Sequence, residues 1–310
     1  MNKKLGIGTW GLGGEDYGKI SSTQAYKLLL KSYKSGVNFF DTAPLYGNGR
    51  SEKYLGKLID DVGRKNLIIS TKCGMLPHKG FNLKQNFSLE NLNEDLQNSL
   101  SRLNTNYIDY YLLHSPDLKK IDMKKILNYF KQLKTDGVIK GYGISLRSPI
   151  DYLKIKNFNL DIIEFNFNLF DQRALDIDLF NLLKLKNIKS ICRTPLCFGF
   201  LAGKILKKKD LDKNDHRRLY WKQSQFEAWT KAKNFFLEYY KKNNYDDYSE
   251  FALHFCLSHK FNYVIPGIMS SNDLEKNLKS SRLRKLSQKK LDLIYQTYRK
   301  VESKIYITQK

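Results

Sequence analysis

The repeated alternation of short strand-like runs with longer helical stretches constrains the fold more than any other feature of this sequence. Eight runs rich in β-branched and aromatic residues recur along the 310 residues, and stretches with helical spacing separate them. The runs span residues 5–10, 37–41, 67–72, 107–114, 139–145, 161–166, 188–193 and 262–266. Because no linker rich in Pro, Gly or Ser interrupts this order, we predict one α/β domain over residues 1–310, folded as a closed (β/α)₈ TIM barrel.

An open doubly wound sheet is the alternative architecture. It requires a Gly-rich turn immediately after a strand, and the candidate at residues 6–14 lies within and after the first run without that spacing. The barrel is therefore favoured. We also predict a long loop at 195–220, which in a barrel contributes to the active site, and a C-terminal helix near 287–300.

Composition limits the classes of partner. The formal net charge of +23 at pH 7 would favour an anionic partner, but the lysines are scattered along the chain without an arginine-rich stripe. We therefore expect no nucleic-acid binding, and the lack of any apolar run near roughly 18 residues argues against a membrane span. The four cysteines form no close ligand pair, so we expect a reducing cytoplasm and no metal site.

Three successive predicted strands end on a titratable residue, namely Asp41, Lys72 and His114. Neighbouring strands lie about 4.8 Å apart, so these side chains are expected to meet at the carboxyl end of the barrel. Tyr46 follows Asp41 on a tight loop. A charged Lys72 is expected to lower the pKa of the Tyr46 phenol and make it a general acid, while His114 orients a carbonyl or shares its proton.

Each of these residues also has a structural interpretation when it is considered alone. Asp41 could cap a helix or pair with Lys72, Tyr46 could line an ordinary wall, and His114 could be a buried histidine with satisfied hydrogen bonds. Together the four residues favour a site that protonates a carbonyl oxygen while hydride arrives at the carbonyl carbon.

The motifs of the chain resemble the aldo-keto reductase family almost from end to end. They occupy residues 6–11, 40–47, 51–56, 70–72, 103–114, 140–145, 194–204 and 265–277. The resemblance implies a (β/α)₈ barrel, NADP or NAD lying across the strand ends, and catalytic roles for Asp41, Tyr46, Lys72 and His114. Many members plug the barrel bottom with an N-terminal β-hairpin. Only residues 1–4 precede Leu5 here, so we expect other side chains to close that end.

The resemblance also implies a set of cofactor-binding residues. Residues 194–204 resemble the loop that grips the pyrophosphate, 265–277 resemble the adenosine-binding stretch, and Ser145 matches a ligand of the carboxamide. The full set is Thr9, Trp10, Ser145, Glu164, Arg193, Thr194, Pro195, Leu196, Gly199, Leu201, Gly203, Lys204, Gly267, Ser271, Asp273, Lys276 and Asn277.

Several of these positions depart from the usual pattern of the family. Leu146 replaces Asn, Glu164 replaces Gln, and Arg193 replaces the aromatic residue that stacks on the nicotinamide. A guanidinium can stack too, but its charge disfavours the oxidised ring, so we expect tighter binding of the reduced cofactor. No Lys or Arg lies between residues 267 and 275, and Asp273 would repel a 2′-phosphate, so we expect NADH to bind about as well as NADPH.

These observations favour an NAD(P)H-dependent oxidoreductase that reduces a small aldehyde, ketone or sugar-type carbonyl, or oxidises the matching alcohol. Trp10, Tyr46 and the loop at 195–220 are expected to wall the substrate pocket. A cofactor-binding regulatory or interaction protein with a barrel fold and little turnover is the alternative, suggested by Leu146 and Glu164. Nucleic-acid binding through the net charge is the third hypothesis.

Overall fold

A computed structural model describes residues 4–14, 17–78, 82–203, 205–213, 215–241 and 245–305. In this part of the chain eight parallel strands form one sheet, and the order of the strands in the sheet follows their order in the sequence. Backbone bonds from Gly6 N to Val264 O (2.9 Å) and from Gly8 N to Pro266 O (3.1 Å) join the first strand to the last. The sheet therefore closes, and the predicted (β/α)₈ barrel is confirmed. The strands are β1 (Ile7–Gly8), β2 (Phe39–Asp41), β3 (Ile68–Cys73), β4 (Tyr110–His114), β5 (Tyr142–Ser145), β6 (Ile162–Asn166), β7 (Lys189–Arg193) and β8 (Tyr263–Val264).

Helices connect the strands and cover the barrel. They are α1 (Ser22–Lys34), α2 (Arg50–Val62), α3 (Leu89–Leu103), α4 (Met123–Thr135), α5 (Tyr152–Ile155), α6 (Arg173–Asp176), α7 (Leu179–Leu185), α8 (His216–Tyr220), α9 (Gln223–Phe235), α10 (Leu237–Lys241), α11 (Tyr248–Ser258), α12 (Ser271–Arg282) and α13 (Gln288–Ile305). Short 3₁₀ helices lie at Trp10–Gly13, Arg64–Asn66, Pro149–Asp151, Cys197–Ala202 and Lys208–Asp210. No helix among the described residues is long and apolar enough to cross a membrane.

Helix α3 shows how the local sequence specifies these elements. The Ser88 side chain accepts a hydrogen bond from Asn91 N at 3.3 Å, which is the N-cap interaction that a serine in this position favours. Leu92, Leu96 and Leu103 lie on one face of the helix and are fully buried. The helix therefore packs its apolar stripe against the barrel and leaves its polar face to solvent.

Alternate strand residues point into the barrel and fill it in layers. At the amino-terminal ends of the strands the layer is aromatic: the rings of Phe39 and Tyr263 stack with centroids 3.7 Å apart, and Lys189 Nζ donates to the Tyr110 hydroxyl at 2.6 Å. These side chains close the amino-terminal end of the barrel and form its floor. The sequence predicted that side chains outside an N-terminal hairpin would close this end. The layer at the carboxyl ends is polar.

Close backbone packing fixes the register at β5. A Cβ atom at Gly143 would lie 1.7 Å from Ile162 O of the neighbouring strand, so no side chain fits at this position. Gly143 thereby holds β5 against β6, and the next inward residue of each strand, Ser145 and Glu164, are register partners.

Candidate active site

A cleft of about 550 Å³ opens at the carboxyl-terminal ends of the strands. Residues of the loops after β1, β2, β4, β7 and β8 line it, which is the arrangement expected of a barrel active site. Asp41, Tyr46 and His114 reach its surface, and Lys72 lies fully buried beneath them.

Lys72 is the centre of the hydrogen-bonding network below the cleft. Its Nζ donates to Asp41 Oδ1 at 2.5 Å, to Thr42 O at 3.1 Å and to the Tyr46 hydroxyl at 3.2 Å. The His114 ring meets the Tyr46 ring edge-on, with centroids 6.0 Å apart. The structure therefore brings the four predicted catalytic residues together.

Two loops in close contact fix the position of Tyr46. Gly47 adopts a φ of +61°, and a Cβ atom there would lie 2.4 Å from Gly13 O in the loop after β1. The Trp10 ring stacks on the Tyr46 ring with centroids 5.5 Å apart and an interplanar angle of 12°. The phenol therefore has little freedom to leave the mouth of the barrel.

The net shift of the Tyr46 pKa is opposite to the one expected from sequence. Burial raises the pKa of the phenol, and the lowering effect of Lys72 is outweighed by burial together with the carboxylates of Asp41 and Glu164. Our expectation of a lowered pKa considered the lysine alone and is therefore wrong. Tyr46 is a neutral phenol at physiological pH, and a neutral phenol has a proton to donate.

The other ionisable groups are shifted by the same buried environment. Burial lowers the pKa of Lys72, but Asp41 and Glu164 outweigh it and the net pKa is raised, so the ammonium stays charged. Burial and the cations of Lys72 and Arg193 lower the pKa of His114 well below its ordinary value. His114 is therefore a neutral imidazole, and its N–H can donate a hydrogen bond.

Glu164 adds a second carboxylate to this network. Its Oε1 accepts from the Ser145 hydroxyl at 2.9 Å, and its Oε2 lies 3.5 Å from Lys72 Nζ. Burial and the charge of Glu164 raise the pKa of Asp41 despite the adjacent Lys72. Sequence reasoning identified Glu164 as a carboxamide ligand but missed its ion pair with Lys72. The inward orientation of both residues in the uppermost barrel layer was the signal that could have revealed it.

Arg193 extends from the end of β7 across the cleft. Its Nη2 donates to Leu146 O at 2.7 Å and its Nη1 to the Ser115 hydroxyl at 3.4 Å, so it connects the ends of β7, β5 and β4. Its Nε is buried without a hydrogen-bond partner. Ser115 also lines the cleft, and sequence reasoning did not single it out.

The predicted cofactor residues divide into two groups. At the surface of the cleft lie Trp10, Glu164, Arg193, Thr194, Pro195, Leu196, Gly199, Gly267, Asp273, Lys276 and Asn277. Thr9, Ser145, Leu201, Gly203 and Ser271 do not line it. The Thr9 hydroxyl instead donates to Asp41 O at 3.0 Å, and Leu201 is fully buried in the hydrophobic core. Lys204 lies outside the described residues.

A strap of residues 215–217 crosses the cleft and joins its two rims. Arg217 Nη1 donates to Phe198 O at 2.7 Å, its guanidinium lies 4.4 Å from the centre of the Tyr17 ring, and its charge is paired with Asp215. His216 stacks on Trp10 with centroids 4.8 Å apart. Sequence reasoning placed this stretch inside the long loop without naming these residues, since α8 is too short to show helical periodicity.

The far end of the cleft lies at the start of α12. Asp273 accepts a hydrogen bond from Met269 N at 3.1 Å, and Asp273 N donates to the Ser270 hydroxyl at 3.2 Å. The ammonium of Lys276 is paired with Asp247. Lys276 is the cation nearest to this end among the residues predicted to bind the cofactor, and its charge is therefore already neutralised.

The residues at the barrel mouth suit the carboxamide of a nicotinamide. Glu164 Oε2 and Arg193 Nε are both buried without hydrogen bonds, and they offer an acceptor and a donor of the kind that a carboxamide requires. The described ranges contain no cluster of His, Cys, Asp and Glu that could hold a metal ion.

Comparison with known proteins agrees with this architecture. A model of the Aldo/keto reductase family matches residues 4–299. Aldo-keto reductase YhdN of Bacillus subtilis (strain 168) is 29% identical over 218 residues, covering 69% of this chain and 64% of that protein. NADH-specific methylglyoxal reductase of Escherichia coli (strain K12) is 30% identical over 217 residues, covering 65% of this chain and 66% of that protein. The matches thus span less than two thirds of the length of either relative.

A solved structure shows the same fold. The holo form of aldo-keto reductase AKR11C1 from Bacillus halodurans superposes with a TM-score of 0.75 at 24% identity, and the match covers 95% of this chain and 91% of that chain. The likeness at this level of identity concerns the barrel itself.

Proposed function

Because the chain belongs to the aldo/keto reductase family, we propose that it is an NAD(P)H-dependent oxidoreductase acting on a small aldehyde, ketone or sugar-type carbonyl, or on the matching alcohol. The observation that carries this proposal is the contact of one buried ammonium, Lys72 Nζ, with both Asp41 and the Tyr46 hydroxyl beneath an open cleft. We also propose that residues 1–310 form one barrel domain.

In the proposed reaction Tyr46 is the general acid for reduction and the general base for oxidation. The neutral phenol donates its proton to the carbonyl oxygen, and Lys72 stabilises the negative charge that then develops on the phenol oxygen. Asp41 keeps Lys72 in place through its 2.5 Å ion pair. The neutral His114 orients the carbonyl oxygen by hydrogen bonding. A bound nicotinamide would supply or accept the hydride.

The proposed choice of nucleotide is supported by the charges at the far end of the cleft. Asp273 carries a negative charge at the start of α12, and Lys276 is engaged by Asp247. A 2′-phosphate would gain no unpaired cation from the described residues of this stretch and would be repelled by Asp273. We therefore propose that NADH binds about as well as NADPH, in keeping with the NADH-specific name of one relative.

The proposed compartment is a reducing one. The four cysteines are free and buried, so they contribute no disulfide to the fold. We retain the cytoplasm as the proposed location on this ground.

A direct test is fluorescence titration with NADPH and NADH, followed by oxidation of either cofactor over a panel of aldehydes, ketones and sugars. The expected result is binding of both nucleotides and carbonyl-dependent oxidation of at least one. Failure to bind either nucleotide would contradict the proposal. Binding without turnover on any carbonyl would support the regulatory alternative suggested by Leu146 and Glu164.

A further inference from the structure

Glu164 and Arg193 are opposite charges on neighbouring strands at the same opening. In the register of β6 and β7, Glu164 pairs with Ile191 and Asn166 pairs with Arg193, so both charged side chains point into the barrel two residues apart. Both line the cleft. Arg193 therefore lies one inward-facing position nearer to the carboxyl-terminal end of the barrel than Glu164.

The two side chains do not neutralise each other by direct contact. Neither forms an ion pair with the other, and Arg193 bonds only to the uncharged oxygens of Leu146 and Ser115. Glu164 is 1% exposed, and its only cationic contact among the described residues is a 3.5 Å approach to Lys72, which Asp41 already engages at 2.5 Å. Each therefore keeps a charge whose field extends into the cleft.

The formal charges of Asp41, Lys72, Glu164 and Arg193 add up to zero, and they stop doing so when Glu164 or Arg193 alone is removed. Lys72 and Asp41 cancel, and Glu164 and Arg193 then contribute one negative and one positive charge. Removal of either member would leave the mouth of the barrel with a net charge. In a poorly solvated site such a charge acts strongly on any ligand whose own charge changes.

We propose that Glu164 and Arg193 act as an opposed pair that sets the relative affinity of this site for oxidised and reduced nicotinamide. The inference rests on the proposed function, because it requires a nicotinamide at the barrel mouth. The oxidised ring is a cation and the reduced ring is neutral, while the remaining charges of the cofactor are equal in the two forms. The Glu164 carboxylate therefore favours the oxidised form and the Arg193 guanidinium favours the reduced form.

The test measures the dissociation constants of NAD⁺ and NADH by titration calorimetry, without carbonyl substrate. Glu164→Gln should raise the ratio of the NAD⁺ constant to the NADH constant by about tenfold, and Arg193→Gln should lower it by a similar factor. The double variant should return the ratio close to that of the unmodified protein. Glutamine keeps an oxygen that can accept from Ser145, so the shape of the site is preserved.

Two controls separate charge from structure. Arg193→Lys keeps the positive charge and should leave the ratio close to that of the unmodified protein. Glu52→Gln removes a fully buried carboxylate outside the barrel, which is paired with Arg102, and should leave the ratio unchanged. Thermal unfolding verifies that each variant is folded, and Glu164→Asp replaces Glu164→Gln as a charge-retaining test if the glutamine variant does not fold; its ratio should then match the unmodified protein.

Single variants that change both constants equally, or that shift the ratio in the same direction, show that the two charges do not act as an opposed pair. An unmodified protein that binds neither nucleotide would instead contradict the proposed function.

Discussion

The two halves of the cleft differ in how their charged side chains are bonded. On the side of β2, β3 and β4, Lys72 contacts Asp41, Thr42 and Tyr46 within 3.2 Å. On the side of β5 to β8, Glu164 Oε2 and Arg193 Nε are buried without hydrogen bonds.

The difference indicates that proton transfer and cofactor binding require different arrangements of polar side chains. Proton transfer needs particular groups at hydrogen-bonding distance, so the first half bonds Lys72 directly to Asp41 and to the Tyr46 hydroxyl within the chain itself. Cofactor binding leaves polar atoms for the ligand to satisfy, and several residue types can provide them. Variants in each half would show whether proton transfer and cofactor binding depend on different residues.

The largest expected effect concerns the proton. Tyr46→Phe keeps the ring that stacks on Trp10 and removes the hydroxyl, so kcat should fall by about 10²–10⁴-fold while cofactor affinity hardly changes. Steady-state kinetics and cofactor titration measure the two quantities. Tyr17→Phe, at another cleft tyrosine, is the control and should have a small effect on kcat. Equal losses of kcat and cofactor binding would break the division between the halves.

The second effect concerns stability. Lys72→Met leaves Asp41 and Glu164 buried without their cation, so the free energy of unfolding should fall by about 3–5 kcal/mol. Glu164→Gln removes the second carboxylate near Lys72 and should leave stability unchanged or increase it. Urea denaturation measures both, with the exposed Lys53→Met as the control, expected within about 0.5 kcal/mol. A large loss of stability with Glu164→Gln would show that the second half also depends on its buried ionic contacts.

The third effect is a pH dependence in the proton-handling half. The pKa of His114 in the folded protein lies well below its unfolded value, so unfolding takes up a proton at acidic pH. Its contribution to stability is fully present above about pH 6.5 and is lost as the pH falls, by up to about 1.4 kcal/mol per unit. Between pH 7.5 and 5.5, His114→Gln should therefore lose about 1.4 kcal/mol less stability than the unmodified protein in urea titrations. Parallel pH curves would contradict a neutral buried imidazole.

The smallest expected effect concerns the nucleotide. Asp273→Arg replaces a repulsive charge by an attractive one, so the ratio of NADPH to NADH affinity should rise by about tenfold. Asp273→Asn removes the repulsion alone and should shift the ratio less, in the same direction. Fluorescence titration with both nucleotides measures the ratio. If neither variant shifts the ratio of NADPH to NADH affinity, this stretch does not belong to the cofactor-binding half.

The sequence predicted the parts of the molecule that depend on local periodicity. Eight strand-like runs were enough to identify the barrel, and strand ends at Asp41, Lys72 and His114 were enough to place three side chains at one mouth. Both inferences require only that residues alternate along a strand and that parallel strands end together.

The remaining features depend on burial and on contacts between distant segments. The sign of the Tyr46 pKa shift follows from desolvation and from Glu164 across the barrel, neither of which the local sequence shows. The contact of Arg217 with Phe198 joins two parts of one long loop. Such contacts form only when the chain is folded, so spacing alone could not reveal them.

The aromatic floor limits the routes by which small molecules can reach the active site. Phe39 stacks on Tyr263 and Tyr110 is bonded to Lys189, so these side chains close the end of the barrel opposite the cleft. Under the proposed function, cofactor and substrate would therefore enter and leave through the same face of the barrel.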